Sequence, residues 1–171
     1  MTRWYPAPTT RPMTTSAPKD TPGVIAPPPF IFLVFLIAGW GLDQAVATPA
    51  FPIEDMARKV VALALIIGGL VLEFWASGFF QKAGTNVVPY RPATALVTEG
   101  PYKFSRNPMY VGFAITYLGL AIGLQSPIAV AFLLPCLFVM SWGVIAREER
   151  YLEAKFGRAY TDYKSRVRRW L

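Results

Sequence analysis

The sequence predicts an all-α integral membrane protein with about four transmembrane helices and a C-terminal cytoplasmic amphipathic helix. Of the 171 residues, 54% are hydrophobic and 16% are charged, and the apolar residues are gathered into blocks. Four of these blocks approach or reach the length that a hydrocarbon core of about 30 Å requires. Because a helix satisfies its backbone hydrogen bonds within one segment, each block is expected to be helical.

The predicted organisation is a disordered tail followed by one membrane domain. Residues 1–29 contain eight prolines and few aliphatic side chains, a composition that cannot bury a core. The domain at 30–171 has expected spans at 30–46, 60–80, 109–124 and 128–146. Only residues 125–127 separate the last two spans, so these two helices are expected to form an antiparallel hairpin.

The distribution of Lys and Arg predicts the orientation. Four spans place fifteen basic residues on one side of the membrane, whereas Arg58 and Lys59 are the two on the other. The positive-inside rule then assigns both termini to the cytoplasm. A bacterial inner membrane is expected, since the chain is compact and shows no organelle signal. The net charge of +7 lies beside apolar segments, which indicates membrane lipids and not nucleic acid as its partner.

The composition also excludes several kinds of active site. The chain contains no histidine, and its single cysteine, Cys136, falls within an apolar block. A zinc hydrolase, a Ser-His-Asp hydrolase and a haem protein with a histidine ligand are therefore excluded. No metal site and no disulfide framework are predicted.

Two features within the predicted spans are unusual. Glu73 is an acid inside an apolar run, where a carboxyl is costly unless it faces protein or water. It is either a functional residue or a protonated carboxyl bonded to a neighbouring helix. A second feature is a stripe of small residues, which predicts close approach of another helix; it consists of Gly112, Thr116, Gly119 and Gly123.

The stretch from Glu99 to Gly112, EGPYKFSRNPMYVG, combines turn residues, aromatic rings and fixed positive charge. Asn107 is a favourable helix cap and Pro108 suits the first turn of the third span. One interpretation is a basic, aromatic flank that only sets orientation. The alternative is a site at the mouth of the helix.

The segment after the fourth span, residues 147–171, is strongly charged. Its apolar residues recur at helical spacing, and Gly157 is expected to interrupt the helix. This segment could simply lie on an anionic membrane with Trp170 as an anchor. The hairpin, however, brings Glu148 and Glu149 near the 99–112 stretch, since packed helices lie about 8–10 Å apart. The spaced apolar face consists of Leu152, Phe156, Tyr160, Tyr163 and Val167.

These two stretches together resemble the isoprenylcysteine carboxyl methyltransferase and phospholipid methyltransferase families of integral membrane enzymes. The resemblance rests on EGPYKFSRNPMYVG and on REERYLEAKFGRAYTDYKSRVRRWL, within residues 97–171. Many members have Arg-His-Pro where this chain has Arg106-Asn107-Pro108. Asparagine can replace the hydrogen bonds of that histidine but cannot take up a proton.

The resemblance implies S-adenosylmethionine as the cofactor, held by segments 97–110 and 147–171. Arg106 would pair with its carboxylate, while Glu148 or Glu149 would hold its amino group or ribose hydroxyls. Glu73, Arg106 and Glu149 are the candidate catalytic residues, with a glutamate as the available base. The candidate cofactor-binding residues are Pro101, Tyr102, Arg106, Asn107, Pro108, Tyr110, Glu148, Glu149, Tyr160 and Tyr163.

The expected acceptor is a lipophilic small molecule, a lipid or a lipidated substrate, with a thiol, carboxylate or amine as its nucleophile. Two other functions remain open. Sterol reductases have a similar turn and a similar C-terminal segment, which would make NADPH the cofactor. A non-enzymatic membrane scaffold would use the basic tail only as an anchor.

Overall fold

The computed structural model describes residues 5–6, 20–87 and 90–171. Two short antiparallel strands, β1 (Tyr5–Pro6) and β2 (Ala95–Leu96), accompany a helical bundle. A 3-10 turn at Gly100–Lys103 precedes the third helix. The helices are α1 (Pro28–Val46), α2 (Asp55–Lys82), α3 (Pro108–Gly123), α4 (Pro127–Val139), a π-helical segment (Met140–Ile145), α5 (Ala146–Phe156) and α6 (Arg158–Lys164).

Within the described residues, three helices are long and apolar enough to cross a membrane: α1, α2 and the continuous helix Pro127–Phe156. The last comprises α4, the π-helical segment and α5, so the fourth span runs unbroken into the charged segment. The 16-residue α3 is a shorter apolar helix. The prediction of an all-α integral membrane fold is confirmed. Helix α2 begins earlier than expected because the Glu54 carboxylate caps it, accepting hydrogen bonds from Met56 N and Ala57 N at 2.9 and 2.7 Å.

The bundle is organised by the close packing of α2 on α3. A Cβ on Gly69 of α2 would lie 2.7 Å from the carbonyl oxygen of Gly112, and one on Gly119 would lie 2.8 Å from the carbonyl oxygen of Ala62. Such distances leave no room for a methyl group. The prediction that the small residues of α3 admit a neighbouring helix is therefore confirmed. Helix α1 packs along α4, which completes the bundle.

The α3–α4 turn is fixed by a buried carboxylate that the sequence analysis did not single out. Asp43 of α1 is only 5% exposed. It accepts hydrogen bonds from the hydroxyls of Thr48 and Ser126 and from Ile128 N. Ser126 in turn caps α4 by accepting from Ala129 N at 3.1 Å. The cluster ties α1 to the first turn of α4, where partial positive charge favours an anion.

Replacing Asp43 with asparagine should destabilise this end of the bundle by about 1–2 kcal/mol, because charge-assisted hydrogen bonds become neutral ones. The measurement is detergent unfolding followed by circular dichroism. Gln44→Glu, a change at an exposed neighbouring position, is the control and should shift the midpoint little. Equal midpoints for the Asp43 variant and the parent would show that the cluster contributes nothing.

Residues 20–29 differ from the predicted disordered tail. The Arg147 guanidinium donates to the carbonyl oxygen of Gly23 at 2.7 Å, Ile25 N donates to the carbonyl oxygen of Gly143 at 3.3 Å, and α1 already begins at Pro28. Ordered contacts with the fourth span replace the expected absence of structure. Residues 1–4 and 7–19 of the predicted tail lie outside the described residues.

The C-terminal segment folds back onto the protein. Gly157 separates α5 from α6 with a φ of +53°, a conformation that glycine adopts readily, so the predicted interruption is confirmed. The expected apolar face packs inward, where Phe156, Tyr160 and Tyr163 form a buried cluster with Leu96. Trp170 also contacts protein, since its indole N–H donates to Ser141 Oγ at 3.1 Å. The apolar face thus covers protein, not a membrane surface.

Candidate functional site

A cavity lies at the end of the bundle where the charged segments meet. It contains about 850 Å³ of empty space, part of which is open to solvent. Its walls come from the last turn of α2, residues 86–87 and 91–97, the 3-10 turn, the first turn of α3, and helices α5 and α6. The hairpin brings the last three of these to one end of the bundle.

The hairpin places the two adjacent acids beside the first turn of α3, as predicted. The Tyr110 hydroxyl donates to Glu148 Oε1 at 2.7 Å, and Arg106 Nη2 lies 2.5 Å from Glu149 Oε1. These pairs join residues about forty positions apart in sequence. The predicted proximity of the two segments is confirmed.

Glu149 belongs to a buried ion-pair cluster. Its side chain is 8% exposed, and its two oxygens accept hydrogen bonds from Arg106 and from Arg169, the latter through Nε and Nη2 at 3.0 and 2.6 Å. This Arg106–Glu149–Arg169 cluster connects the residues just before α3 with α5 and the C-terminal residues. Its first effect is to hold the C-terminal segment against the bundle.

Arg106 is engaged mainly by protein. Besides Glu149, its Nη1 donates to the carbonyl oxygens of Lys164 and Val167 at 3.0 and 2.8 Å, and its backbone N–H donates to Arg168 O at 2.9 Å. Within the described chain its Nε is buried without a partner. The side chain therefore positions the C-terminal segment, and its pairing with a cofactor carboxylate stays a prediction.

Glu148 is the one of the two adjacent acids that can still accept several hydrogen bonds. It lines the cavity, and in the described part of the chain the Tyr110 hydroxyl is its hydrogen-bond donor. A carboxylate has about four lone-pair positions that accept hydrogen bonds, so most of those of Glu148 are available to a ligand. The two neighbouring acids thus differ. Both carboxylate oxygens of Glu149 accept hydrogen bonds from arginines, whereas Glu148 accepts one hydrogen bond from Tyr110.

Three tyrosines complete the polar wall. The Tyr163 hydroxyl donates to the carbonyl oxygen of Tyr102 at 2.8 Å, and the ring of Tyr160 packs edge-on against that of Tyr163. Tyr102 Oη is buried and lacks a hydrogen-bond partner among the described residues. Burial, and after it the nearby Tyr163 and Glu148, raises the pKa of Tyr102 well above its ordinary value. The hydroxyl therefore keeps its proton and is available to donate.

The structure brings most of the predicted cofactor-binding residues to the cavity, but Pro101 and Pro108 are buried beside it and do not line it. Asn107 contributes mainly to the fold, since its side-chain amide donates to the carbonyl oxygen of Arg169 at 2.8 Å. The predicted residues that do line the cavity are Tyr102, Arg106, Asn107, Tyr110, Glu148, Glu149, Tyr160 and Tyr163.

Glu73 lies apart from this group. It sits on α2, where it contacts Gly112 and accepts a hydrogen bond from Thr116 Oγ1 at 2.9 Å. It is not among the residues that line the cavity. The structure thus matches the interpretation of a carboxyl bonded to a neighbouring helix, and a catalytic role for Glu73 stays a prediction.

Sequence reasoning missed one whole wall of the cavity. The connection between α2 and α3 is unusually long for a simple turn, a signal that often marks functional loops. Tyr151, Leu152 and Met109 carried no such signal, because their orientation depends on packing. The lining residues outside the predicted segments 97–110 and 147–171 are Pro22, Phe80, Asn86, Val87, Arg91, Ala93, Ala95 and Leu96. Val97, Met109, Tyr151 and Leu152 lie within those segments but are not among the predicted site residues.

Comparisons with known proteins agree with this architecture. The family described as phospholipid methyltransferase matches residues 57–159. Protein-S-isoprenylcysteine O-methyltransferase B of Arabidopsis thaliana is 37% identical over 112 residues, which are 61% of this chain and 54% of that protein. An uncharacterized protein of Haemophilus influenzae is 40% identical over 63 residues, 37% of this chain and the whole of that one.

A solved structure has a similar fold. The eukaryotic intramembrane Ras methyltransferase, isoprenylcysteine carboxyl methyltransferase, superposes with a TM-score of 0.58 at 24% identity. The likeness covers 81% of this chain and 50% of that one. This chain therefore spans about half the length of the Arabidopsis relative and of the solved structure.

Fold and cavity together define a small multi-pass membrane protein with a cavity at one end of its last helical hairpin. The family match extends over more than half of the chain, and the same hairpin lies within it. The chain belongs to the phospholipid methyltransferase family.

Proposed function

We propose that this protein transfers a methyl group from S-adenosylmethionine to a lipophilic or membrane-associated acceptor. The observation that carries the proposal is the buried hydroxyl of Tyr102 in the cavity wall, which has no hydrogen-bond partner among the described residues. Leaving such a donor unsatisfied costs about 1–3 kcal/mol, so it is expected to serve a bound ligand. Family membership supports a methyl donor as that ligand.

The donor set of the cavity fits S-adenosylmethionine. Glu148 offers carboxylate lone pairs to an ammonium group or to ribose hydroxyls, and Tyr102 offers a hydroxyl proton. The rings of Tyr102 and Tyr110 are buried in the wall and can attract a cation through their faces. When bound, the cofactor supplies an electrophilic methyl group on a cationic sulfur with a good leaving group.

The protein's contribution is then positioning and exclusion of water. The Arg106–Glu149–Arg169 cluster holds α6 and the C-terminal residues against the cavity, so that Tyr160 and Tyr163 close one side. Apolar side chains, including Phe80, Val97 and Met109, line the part next to the bundle. This division of the walls suits a polar cofactor and an apolar acceptor.

We further propose that the cavity faces the cytoplasm. The basic residues of 147–171 lie on the same end of the bundle as the cavity, and the positive-inside rule assigns that end to the cytoplasmic side. The acceptor would then arrive from the membrane as a lipid, a lipidated protein or a lipophilic small molecule. The Arabidopsis thaliana relative and the solved structure are isoprenylcysteine methyltransferases, which makes a prenylated substrate the first acceptor to assay.

Substituting Tyr102 with phenylalanine should have opposite effects on the stability of the ligand-free protein and on its affinity for ligand. Without ligand the variant should be as stable as the parent or about 1 kcal/mol more stable, because a buried unpaired hydroxyl is removed. Binding of S-adenosylhomocysteine should weaken about tenfold. Isothermal calorimetry and thermal unfolding of the purified protein in detergent measure both effects. A ligand affinity equal to that of the parent would show that Tyr102 does not contact the cofactor.

Changing Glu148 to glutamine should weaken S-adenosylhomocysteine roughly 10- to 100-fold, because charge-assisted hydrogen bonds to the ligand are lost. Glu153→Gln on the same helix is the matched control, since Glu153 pairs with Lys164 at 3.1 Å and does not line the cavity. Its affinity should equal that of the parent. A folded parent that binds no S-adenosylhomocysteine would overturn the proposal, and binding of NADPH would then indicate a reductase.

A further inference from the structure

Residues 20–25, here named the strap, follow one face of the fourth span. The strap contacts Lys155 through Asp20, Arg147 through the carbonyl oxygen of Gly23, and Gly143 through Ile25. Together with Tyr151, these three helix positions recur every four residues and therefore form a single stripe. A segment expected to be disordered is thus aligned along a helix that also forms a wall of the cavity.

The outer end of the strap is held by a polar latch. Lys155 Nζ donates to both carboxylate oxygens of Asp20 at 2.8 and 2.6 Å, and the Tyr151 hydroxyl donates to Asp20 Oδ1 at 2.9 Å. Burial opposes ionisation of Asp20, but the hydrogen bonds from Lys155 and Tyr151 outweigh it and lower the pKa of the carboxyl. The latch is therefore ionic at neutral pH.

Tyr151 extends the latch to the opposite wall. Its hydroxyl oxygen accepts a hydrogen bond from Ala93 N at 3.0 Å, and Ala93 belongs to the connection between α2 and α3. Strap, α5 and connection are thereby joined through one hydroxyl. Tyr151, Ala93 and Pro22 of the strap all line the cavity.

The two ends of the strap are held differently. Past Ile25 the chain continues into α1 at Pro28, which is packed in the bundle. At the other end, Asp20 is 49% exposed, so water can compete for the latch. Its partner Lys155 is 15% exposed, so solvent reaches the ion pair mainly from the side of Asp20. Such a partly screened pair contributes modestly to stability, which permits release.

We propose that the strap is a gate of the cavity, closed by the Asp20–Lys155–Tyr151 latch, that sets how fast a water-soluble ligand reaches the site and leaves it. The identity of that ligand as the methyl donor and its product rests on the function proposed above. The gating itself follows from the position of Pro22 and from the hydrogen bonds that join the strap to both walls.

The test measures access to the cavity without any cofactor. Val97 is 4% exposed and lines the cavity, so Val97→Cys places a thiol inside with little change of volume. Its reaction with a cationic methanethiosulfonate is followed by mass spectrometry in the full chain. The same chain without Val97→Cys gives the background, because its own Cys136 is fully buried and does not line the cavity.

Adding Asp20→Asn should accelerate the reaction roughly fivefold, the upper end of the effect of an exposed ion pair. Asp162→Asn is the matched control, since Asp162 meets Arg158 at 3.9 Å on an exposed surface away from the cavity; it should leave the rate unchanged. The charge-swapped pair Asp20→Lys with Lys155→Glu should restore the slow rate. Equal rates for Asp20→Asn and Asp162→Asn would overturn the gate.

The kinetics of S-adenosylhomocysteine separate this inference from the proposed function. A gate predicts that Asp20→Asn raises the dissociation rate by a similar factor, measured by ligand release from the full chain. If the parent binds no S-adenosylhomocysteine, the proposed function fails, whereas the thiol rates still decide whether the strap gates the cavity.

Discussion

Glu149→Ala is expected to destabilise the protein by about 3–5 kcal/mol, the largest effect of any substitution considered. The side chains of Glu149 and Arg106 are 8% and 10% exposed, and removing one partner of a buried pair leaves the other charge uncompensated. Arg169 loses its partner as well, but at 39% exposure it can turn to water. Unfolding by sodium dodecyl sulfate, followed by tryptophan fluorescence, measures the change.

The same substitution should also release the C-terminal segment. Arg106 would no longer be held in the orientation that donates to Lys164 O and Val167 O, so ligand affinity should fall together with stability. Asp162→Ala at an exposed pair is the control and should change stability by less than about 0.5 kcal/mol. If both variants unfold at the same detergent concentration, the buried cluster does not stabilise the fold.

Gly69→Ala should destabilise the bundle by roughly 2–3 kcal/mol, because the new methyl group would lie 2.7 Å from backbone atoms of Gly112 and Thr116. The neighbouring Gly68 offers a matched control in the same helix. A Cβ there meets nothing within 4 Å, and alanine is the better helix former by about 1 kcal/mol. Detergent unfolding should therefore shift in opposite directions for the two variants.

This pair of substitutions tests the packing of α2 on α3 rather than helix propensity. A shift of the same sign and size for Gly68→Ala and Gly69→Ala would contradict the close approach of the two helices. Because Glu73 and Gly112 meet in the same interface, the outcome also bears on the surroundings of Glu73. A loosened interface would expose that carboxyl without touching the cavity.

The adjacent Glu148 and Glu149 show what could not be predicted from the sequence. The three-residue turn required both acids to lie near the first turn of α3, which the structure confirms. Adjacent residues on a helix, however, point about 100° apart, and the rotation of α5 about its axis depends on all its neighbours. The π-helical segment Met140–Ile145 changes that rotation just before the acids. Both acids line the cavity, and only the folded chain pairs Glu149 with two arginines and Glu148 with Tyr110.

Residues 20–25 illustrate a second limit of prediction from sequence. Their composition is typical of disorder, since they contain no apolar periodicity that would bury a core. Their order depends on hydrogen bonds to Gly143, Arg147, Tyr151 and Lys155, more than a hundred positions away. Local sequence holds no signal for such contacts.

The sequence by itself determined the membrane helices, the hairpin, the interruption at Gly157 and the presence of acids, arginine and tyrosines at one end of the bundle. These features follow from hydrophobic length, turn length and residue chemistry, which act locally along the chain. Tertiary structure alone decided which side chains enter the cavity, that Arg106 serves the C-terminal segment, and that the strap covers a wall. Those outcomes depend on the rotation of helices and on contacts between distant residues, because packing sets both.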